Sequence, residues 1–415
     1  MQNLRVAVLV DLPREPAAGG HVKYWERIAQ SAVRENAPVD LTIYFSGAKA
    51  EDVLSPHVRF RYLPPVFSTE KLKFLPYVPA HTDLAPFHSQ LAQELPNYDV
   101  IHATEGCFAF SRTAERVSKW SGIPLVTSFH TDTPAYAEVF TRQTIGHIFG
   151  LKLGGWLDRV FKISARERAS KTKRLKTHLQ SCAAILAMRA EDVALALSVT
   201  TQDKIKPMRL GVDKDLFAPQ PQSRGEIERQ YGITSDKFVI LFVGRIDAGK
   251  NIHVLAQACA DAIERGTPLH LIVAGLGPMS EDVKQKLGSH VTLAGLVEPT
   301  QLARFYASVD CLAIASDIEI GGMIGPEAIC CGCPVLVSRQ SAMSEACGKP
   351  QAMLLVESGV VPWTRALMDY AQDKEKQKQM RDAALAFRAE HIPSWGDVLR
   401  EDFIPVWQNV AQQRT

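Results

Sequence analysis

Short apolar runs recur along the chain in two sets, with amphipathic stretches between them. In the first half, residues 5–10 (RVAVLV), 40–45 (DLTIYF), 58–63 (VRFRYL), 99–103 (DVIHA), 124–129 (PLVTSF) and 183–188 (AAILAM) read as strands, and helical periodicity covers 21–36 and 107–122. The second half repeats the rhythm: 238–244, 269–275, 291–295, 311–315, 334–338 and 352–356 read as strands, with helices over 251–265 and 300–308. Near-continuous apolar runs, rather than alternation, mark parallel strands covered on both faces. The expected fold is α/β: two doubly wound, Rossmann-like domains whose strand ends face one another across a ligand cleft. The proline- and serine-bearing stretch 217–236 (FAPQPQSRGEIERQYGITSD) reads as a linker. A helical tail runs from about Val361, breaks near Ile392 and Pro393, and ends in SWGDVLREDFIPVWQNV.

Length and composition narrow the class. A chain of 415 residues is too long for one ordinary core, so two domains are the natural division. A net charge of +2 gives no electrostatic reason for general nucleic-acid binding. No apolar run is long enough to span a bilayer, and the N-terminus reads directly into a strand rather than a signal peptide, so a cytoplasmic location is expected. Cys330, Cys331 and Cys333 crowd a helix-to-strand junction without CxxC spacing or a nearby histidine, which favours packing over metal binding.

The chemistry concentrates in 316–335, SDIEIGGMIGPEAICCGCPV. Glu319 and Glu327 bracket a glycine-rich turn (Gly321, Gly322, Gly325) before a helix and a buried strand. Carboxylates accept paired hydrogen bonds from vicinal hydroxyls, and glycines let backbone amides approach sugar or phosphate oxygens. After the strand 238–244 comes GRIDAGKN, which places two cations, Arg245 and Lys250, in the loop at the strand's carboxyl end; cations after a strand are common by themselves. The glycine turn at Gly275 is a weak signal alone, because strand-to-helix turns favour glycine generally. In the first half, Gly19 and Gly20 precede a helix, and His130 ends a strand with Asp132 two residues on, able to orient the ring or meet an acceptor hydroxyl.

The segment 316–335 resembles the Glu-x7-Glu signature of the retaining nucleotide-sugar glycosyltransferases of family four, roughly SxxEGFGxxxxEAxxxGxPV. The chain keeps Ser316, Glu319, Gly322, Glu327, Ala328, Gly332, Pro334 and Val335, and departs at Ile320 and Gly321. GRIDAGKN resembles the family's GRxxxxK, RLGVDKDLF (209–217) its hinge with Leu210 where asparagine is usual, and the SW-containing tail its closing helix. The resemblance implies the GT-B architecture: an acceptor-side domain over 1–208, a nucleotide-sugar domain over 209–390, and a helix over 391–415 crossing back to the first domain. It implies a retaining hexosyltransferase that uses a UDP- or GDP-sugar and a glycan or lipid-linked acceptor, in cell-surface polysaccharide or glycolipid synthesis. His130 and Glu319 would then meet the transferred sugar, and Arg245 and Lys250 the diphosphate. Glu327 would bind the ribose, and Gly19, Gly20, Gly275, Gly321, Gly322 and Met323 would shape the rest of the donor site. The donor phosphate itself would help deprotonate the acceptor. No cofactor beyond the donor and no metal is expected, since the only DxD, Asp213 and Asp215, sits at the hinge.

One local feature bears on the acceptor. Between 152 and 176 basic residues far outnumber Asp158 and Glu167, while Leu153, Trp156, Leu157, Val160 and Phe161 recur at helical spacing. This reads as a basic amphipathic helix, suited either to the inner face of an anionic membrane or to packing on the sheet with a solvated basic face. Lys71, Lys73, Phe74 and Tyr77 are candidates to extend that surface. Three other classes fit the same framework: a sugar-nucleotide epimerase, a glycosyl phosphorylase, and a non-catalytic glycosyltransferase-like partner protein.

Overall fold

The structure, a computed structural model, describes residues 3–15, 18–69, 83–220, 223–317, 322–341, 343 and 351–413. It divides into two compact units: Met1–Arg209 together with Trp395–Thr415, and Leu210–Ser394.

The strands of the first unit are β1 (Leu4–Pro13), β2 (Val39–Ser46), β3 (Ala50–Ser55), β4 (Val58–Leu63), β5 (Val100–Ala103), β6 (Leu125–Ser128), β7 (Ala184–Ala187) and β8 (Ile205–Pro207). They form one sheet in the order β3-β4-β2-β1-β5-β6-β7-β8, parallel except where β3 meets β4. Val6, Val8 and Val10 of β1 are fully buried, as a central strand with helices on both faces requires. The sequence reading omits β3 and β8. Every residue of β3 from Ala50 to Leu54 is exposed, so nothing in its side chains marks a strand; its backbone pairs with β4 at the sheet edge.

The terminal segment belongs to this unit because specific bonds hold it there. The Arg209 backbone N–H donates to Asp402 Oδ2 at 2.9 Å and its guanidinium to Asp402 Oδ1 at 2.6 Å. Trp407, fully buried, donates its indole N–H to His102 Nδ1 at 3.0 Å.

The basic segment is two helices rather than the one expected. Leu151–Phe161 and Ile163–Ser181 are separated by Lys162 in the left-handed region (φ 50°). Asp158 caps the second helix, accepting from the Ser164 backbone N–H at 2.8 Å and from its hydroxyl at 2.7 Å. Gly154 lets the first helix lie against the preceding helix Thr133–Phe149, because a Cβ there would sit 2.7 Å from the Ile145 carbonyl oxygen. The apolar residues do not pack on the sheet. Leu153, Trp156, Val160 and Phe161 are each half or more exposed, as are Ile148 and Phe149 beside them. Part of the positive charge is neutralised locally, Arg168 by Glu138 at 3.0 Å, Lys171 by Glu167 at 3.4 Å and Arg174 by Glu115 at 2.5 Å. Lys71, Lys73, Phe74 and Tyr77 lie outside the described residues.

The second unit holds β9 (Phe238–Val243), β10 (Leu269–Ala274), β11 (Val291–Gly295), β12 (Cys311–Ile314), β13 (Val335–Ser338) and β14 (Met353–Val356), all parallel, in the order β11-β10-β9-β12-β13-β14. The stretch 217–236 is not a linker. It contains the helix Ser223–Tyr231, buries Phe217, Ile227 and Ile233 in this unit's core, and is pinned by Arg224, which donates to Asp310 at 3.0 Å and to the Lys237 carbonyl at 2.8 Å. Its polar composition reflects one solvent-facing side; the apolar positions were too sparse to stand out. Cys330, Cys331 and Cys333 are buried core residues, and burial pushes the thiols of Cys330 and Cys333 up to about 12. Among the described residues no helix is long and apolar enough to cross a membrane, and no cluster of ligating side chains could hold a metal ion.

Candidate functional site

In the second unit, the loop after β9 and the loop after β10 are joined by backbone hydrogen bonds. Gly244 N–H donates to the Ala274 carbonyl at 3.0 Å, Ile246 N–H to Leu276 at 3.0 Å, and Met279 N–H returns to Ile246 at 3.1 Å. A Cβ on Gly275 would lie 1.9 Å from the Gly244 carbonyl oxygen, and one on Gly277 would lie 2.3 Å from that of Ile246. Gly275 also has φ +151°, so glycine is required twice over. The glycine that carried little information in the sequence is the contact that seats the Arg/Lys loop.

That loop is then tied to the glutamate segment. Asp247 Oδ1 accepts from the Lys250 N–H at 3.1 Å and closes a turn, after which Asn251 takes a left-handed conformation (φ 51°). Asn251 Nδ2 donates to the Ala315 carbonyl at 3.1 Å and to Asp317 Oδ2 at 3.2 Å, while the Ser316 hydroxyl donates to the Gly249 carbonyl at 3.1 Å. Asp317 Oδ1 accepts from Ser338 at 2.5 Å and Ser358 at 2.6 Å. Asn251, Asp317, Ser338 and Ser358 were missed in the sequence. Only the adjacency of Asn251 to Lys250 and of Asp317 to Ser316 hinted at them. Arg245 projects into solvent, its side chain 76% exposed, with Asp247 Oδ2 3.2 Å away.

Glu327 lies in the first turn of the short helix Ile324–Cys330, 8% exposed, with the Tyr306 hydroxyl 3.5 Å from Oε2. Gly322 and Met323 lead into that helix, both partly exposed. Glu319 and Gly321 lie outside the described residues. The DxD at the hinge forms a turn instead, Asp213 Oδ1 accepting from the backbone N–H groups of Asp215 and Leu216 at 3.3 Å.

In the first unit, Gly19 and Gly20 start the helix Gly20–Arg34, and a Cβ at either would meet nothing within 4 Å. Neither has a positive φ, so their contribution is open space over the helix start rather than backbone freedom. His130, just past β6, stacks on His21 with ring centroids 4.5 Å apart and planes 4° apart. Its Nε2 accepts from the Trp25 indole at 3.2 Å and is 2.9 Å from the Ser128 hydroxyl. Desolvation, with the neighbouring His21 and His102 adding to it, holds the His130 pKa well below the ordinary imidazole value, so the ring is neutral at physiological pH. Asp132 does not orient this ring. It caps the next helix, accepting from the Ala135 N–H at 3.0 Å.

Known proteins share this two-unit α/β architecture. Residues 223–387 match the family model described as Glycosyl transferases group 1. The chain is 25% identical to the D-inositol 3-phosphate glycosyltransferase of Thermomonospora curvata, over 93% of this chain and 90% of that one. Among solved structures, that of Anabaena HepE in complex with UDP and glucose superposes with a TM-score of 0.66 at 15% identity, covering 99% of both chains. WaaG, a glycosyltransferase involved in lipopolysaccharide biosynthesis, gives 0.63 at 14% identity with the same coverage. Residues 223–387 are thus similar to the group 1 glycosyltransferases, and the whole chain has the two-unit GT-B fold of these solved structures.

Proposed function

We propose that the protein moves a hexosyl group from a nucleoside diphosphate sugar, UDP- or GDP-linked, to a glycan or lipid-linked acceptor hydroxyl, with retention at the anomeric carbon. The observation that carries this reading is the set of bonds joining the Arg245–Lys250 loop to Ser316 and Asp317, the start of the glutamate segment. The loop that carries two cations for a diphosphate is thereby tied to the start of the segment whose carboxylates would meet sugar hydroxyls. The UDP and glucose in the Anabaena HepE structure support a donor of this class.

In the proposed reaction the bond between the anomeric carbon and the diphosphate oxygen breaks, its electron pair leaving on the diphosphate. The acceptor oxygen bonds that carbon on the same face, and its proton passes to a phosphate oxygen. Arg245 and Lys250 stabilise the charge that builds on the leaving group. Glu327 binds the ribose, Glu319 and the amides of Gly321 and Gly322 hold the hexose, and neutral His130 touches the sugar without adding positive charge beside an oxocarbenium-like carbon. Metal is not required in this scheme. The exposed Leu153, Trp156, Val160 and Phe161, flanked by Lys152, Arg159, Lys162 and Arg166, support docking on an anionic membrane surface, where a lipid-linked acceptor would be found.

The test is a thermal-shift screen across UDP-, GDP- and ADP-sugars. One class should raise the unfolding midpoint, by the equivalent of about 2.7 kcal/mol at a hundredfold excess over Kd. No shift with any of them sinks the assignment.

A further inference from the structure

Fixed donors and acceptors decide the tautomer of every ring in the histidine cluster of the first unit. An indole N–H can only donate. Trp407 therefore makes His102 Nδ1 an acceptor, and the His102 proton sits on Nε2, 2.8 Å from the Ser128 hydroxyl. Ser128 accepts there and donates onward to His130 Nε2 at 2.9 Å, the same nitrogen that accepts from Trp25. Two independent donors thus place the His130 proton on Nδ1. His21 is set the other way. The Thr104 hydroxyl gives its hydrogen to the Leu9 carbonyl at 2.9 Å, so it accepts from His21 Nε2–H at 2.7 Å and leaves His21 Nδ1 as a bare lone pair. Neither Nδ1 has a hydrogen-bond partner among the described residues, and neither is among the buried polar atoms left without one.

We propose that His21 is a second ligand-binding histidine, which with the stacked His130 forms a donor–acceptor pair for a hydroxylated sugar: His130 Nδ1–H donates and His21 Nδ1 accepts. This rests on the glycosyltransferase reading above and extends it. A hydroxyl both gives and takes a hydrogen bond, so it satisfies both rings at once; a phosphate or carboxylate offers only lone pairs and would face that of His21. Both rings stay uncharged at neutral pH, burial holding His21 down to about 3. Space for a ligand exists beside the pair, since Gly19 and Gly20, immediately before His21, face open volume. Thr104, Ser128, His102 and Trp407 are positioning residues that act only through the tautomers.

Two measurements test this on the full-length protein. Histidine 15N spectra without ligand at pH 7 should show His130 protonated at Nδ1 and His21 and His102 at Nε2. Thr104→Val should release the His21 tautomer, and Ser128→Ala should change the His130 signals, with both variants folded. A reversed pattern, or protonated rings, overturns the pair. In calorimetry, His21→Ala should weaken the nucleotide sugar selected by the screen about three- to tenfold while leaving the parent nucleoside diphosphate unchanged. His21→Asn, which puts an acceptor oxygen near the Nδ1 position, should recover most of the loss. A raised acceptor KM with unchanged donor affinity would assign the same pair to the acceptor's hydroxyls; no change in either overturns the proposal. If no nucleotide sugar binds the wild type, the glycosyltransferase reading fails on its own, and the 15N pattern still decides the tautomers.

Discussion

Gly275 approaches Gly244 so closely that a Cβ on the first would stand 1.9 Å from the carbonyl oxygen of the second. The obstacle is backbone, so no side chain can turn away to make room, and φ +151° adds strain for any L-residue. Gly275→Ala should cost about 2 kcal/mol or more, about 4–8 °C in Tm for a domain of this size. Nucleotide affinity should fall as well, because the displaced loop carries Arg245 and Lys250. Gly232→Ala is the control, since that glycine has a positive φ but nothing within 4 Å of a Cβ. Equal melting of the two variants would show that the close approach is not real.

The two glutamates should divide their effects. Glu327→Ala is expected to weaken binding of the nucleoside diphosphate alone, whereas Glu319→Ala should chiefly lower turnover. Calorimetry with the diphosphate separates them. Unchanged affinity in Glu327→Ala would refute the ribose assignment.

Chelation should leave turnover nearly intact, because in the proposed scheme Arg245 and Lys250 carry the positive charge at the leaving group and Asp213 of the DxD accepts within a backbone turn. Activity lost in EDTA and restored by magnesium or manganese would reverse this expectation.

Membrane docking should depend on apolar insertion as well as charge. Wild-type protein should sediment with anionic liposomes at low salt, and Trp156→Ser with Phe161→Ser should release it. Raising the salt from 0.1 to 1 M shortens the Debye length from about 10 Å to about 3 Å and should remove much of the binding that Lys152, Lys162 and Arg166 provide. Protein that stays in the supernatant at low salt would count against a lipid-linked acceptor.

Stability of the first unit should fall on acidification. Burial depresses His102 from 6.5 to about 3, so between these values the unfolded chain binds a proton that the folded one refuses. The stability is fully present above pH 6.5 and is lost as pH falls toward 3, at up to about 1.4 kcal/mol per unit for such a group. His178 has the opposite sign. Burial opposes its charge, but Cys182 and Glu115 outweigh it and raise it to about 10, so its contribution is complete below pH 6.5 and disappears as pH rises through 10. Thermal unfolding at pH 7, 5.5 and 4.5 should show the decline, and His102→Gln should make it shallower, with His21 and His130 keeping the rest of the slope. A flat wild-type profile over that range would mean that the ring takes up its proton inside the fold.

The sequence alone determined the parallel strands of both sheets other than β8, because buried strands need continuous apolar runs and these survive in any register. It also set the spacing of Glu319 and Glu327 and the order of the motifs, which are properties of the chain itself. Tertiary structure decided what depends on partners distant along the chain. The edge strand β3 is held by backbone pairing that leaves no side-chain signature, and the polar stretch 217–236 folds because Arg224 finds Asp310 and the Lys237 carbonyl. Lys162 in a left-handed turn split one amphipathic pattern into two helices and left its apolar face in solvent. His21 carried no signal, since a histidine after two glycines looks like any helix start. Its role as an acceptor follows from Thr104 and the Leu9 carbonyl, and that of His130 as a donor from Trp25, Ser128, His102 and Trp407, which only folding brings together. A proton's position on an imidazole ring is set by the donors and acceptors around it, and those are fixed in space rather than in sequence.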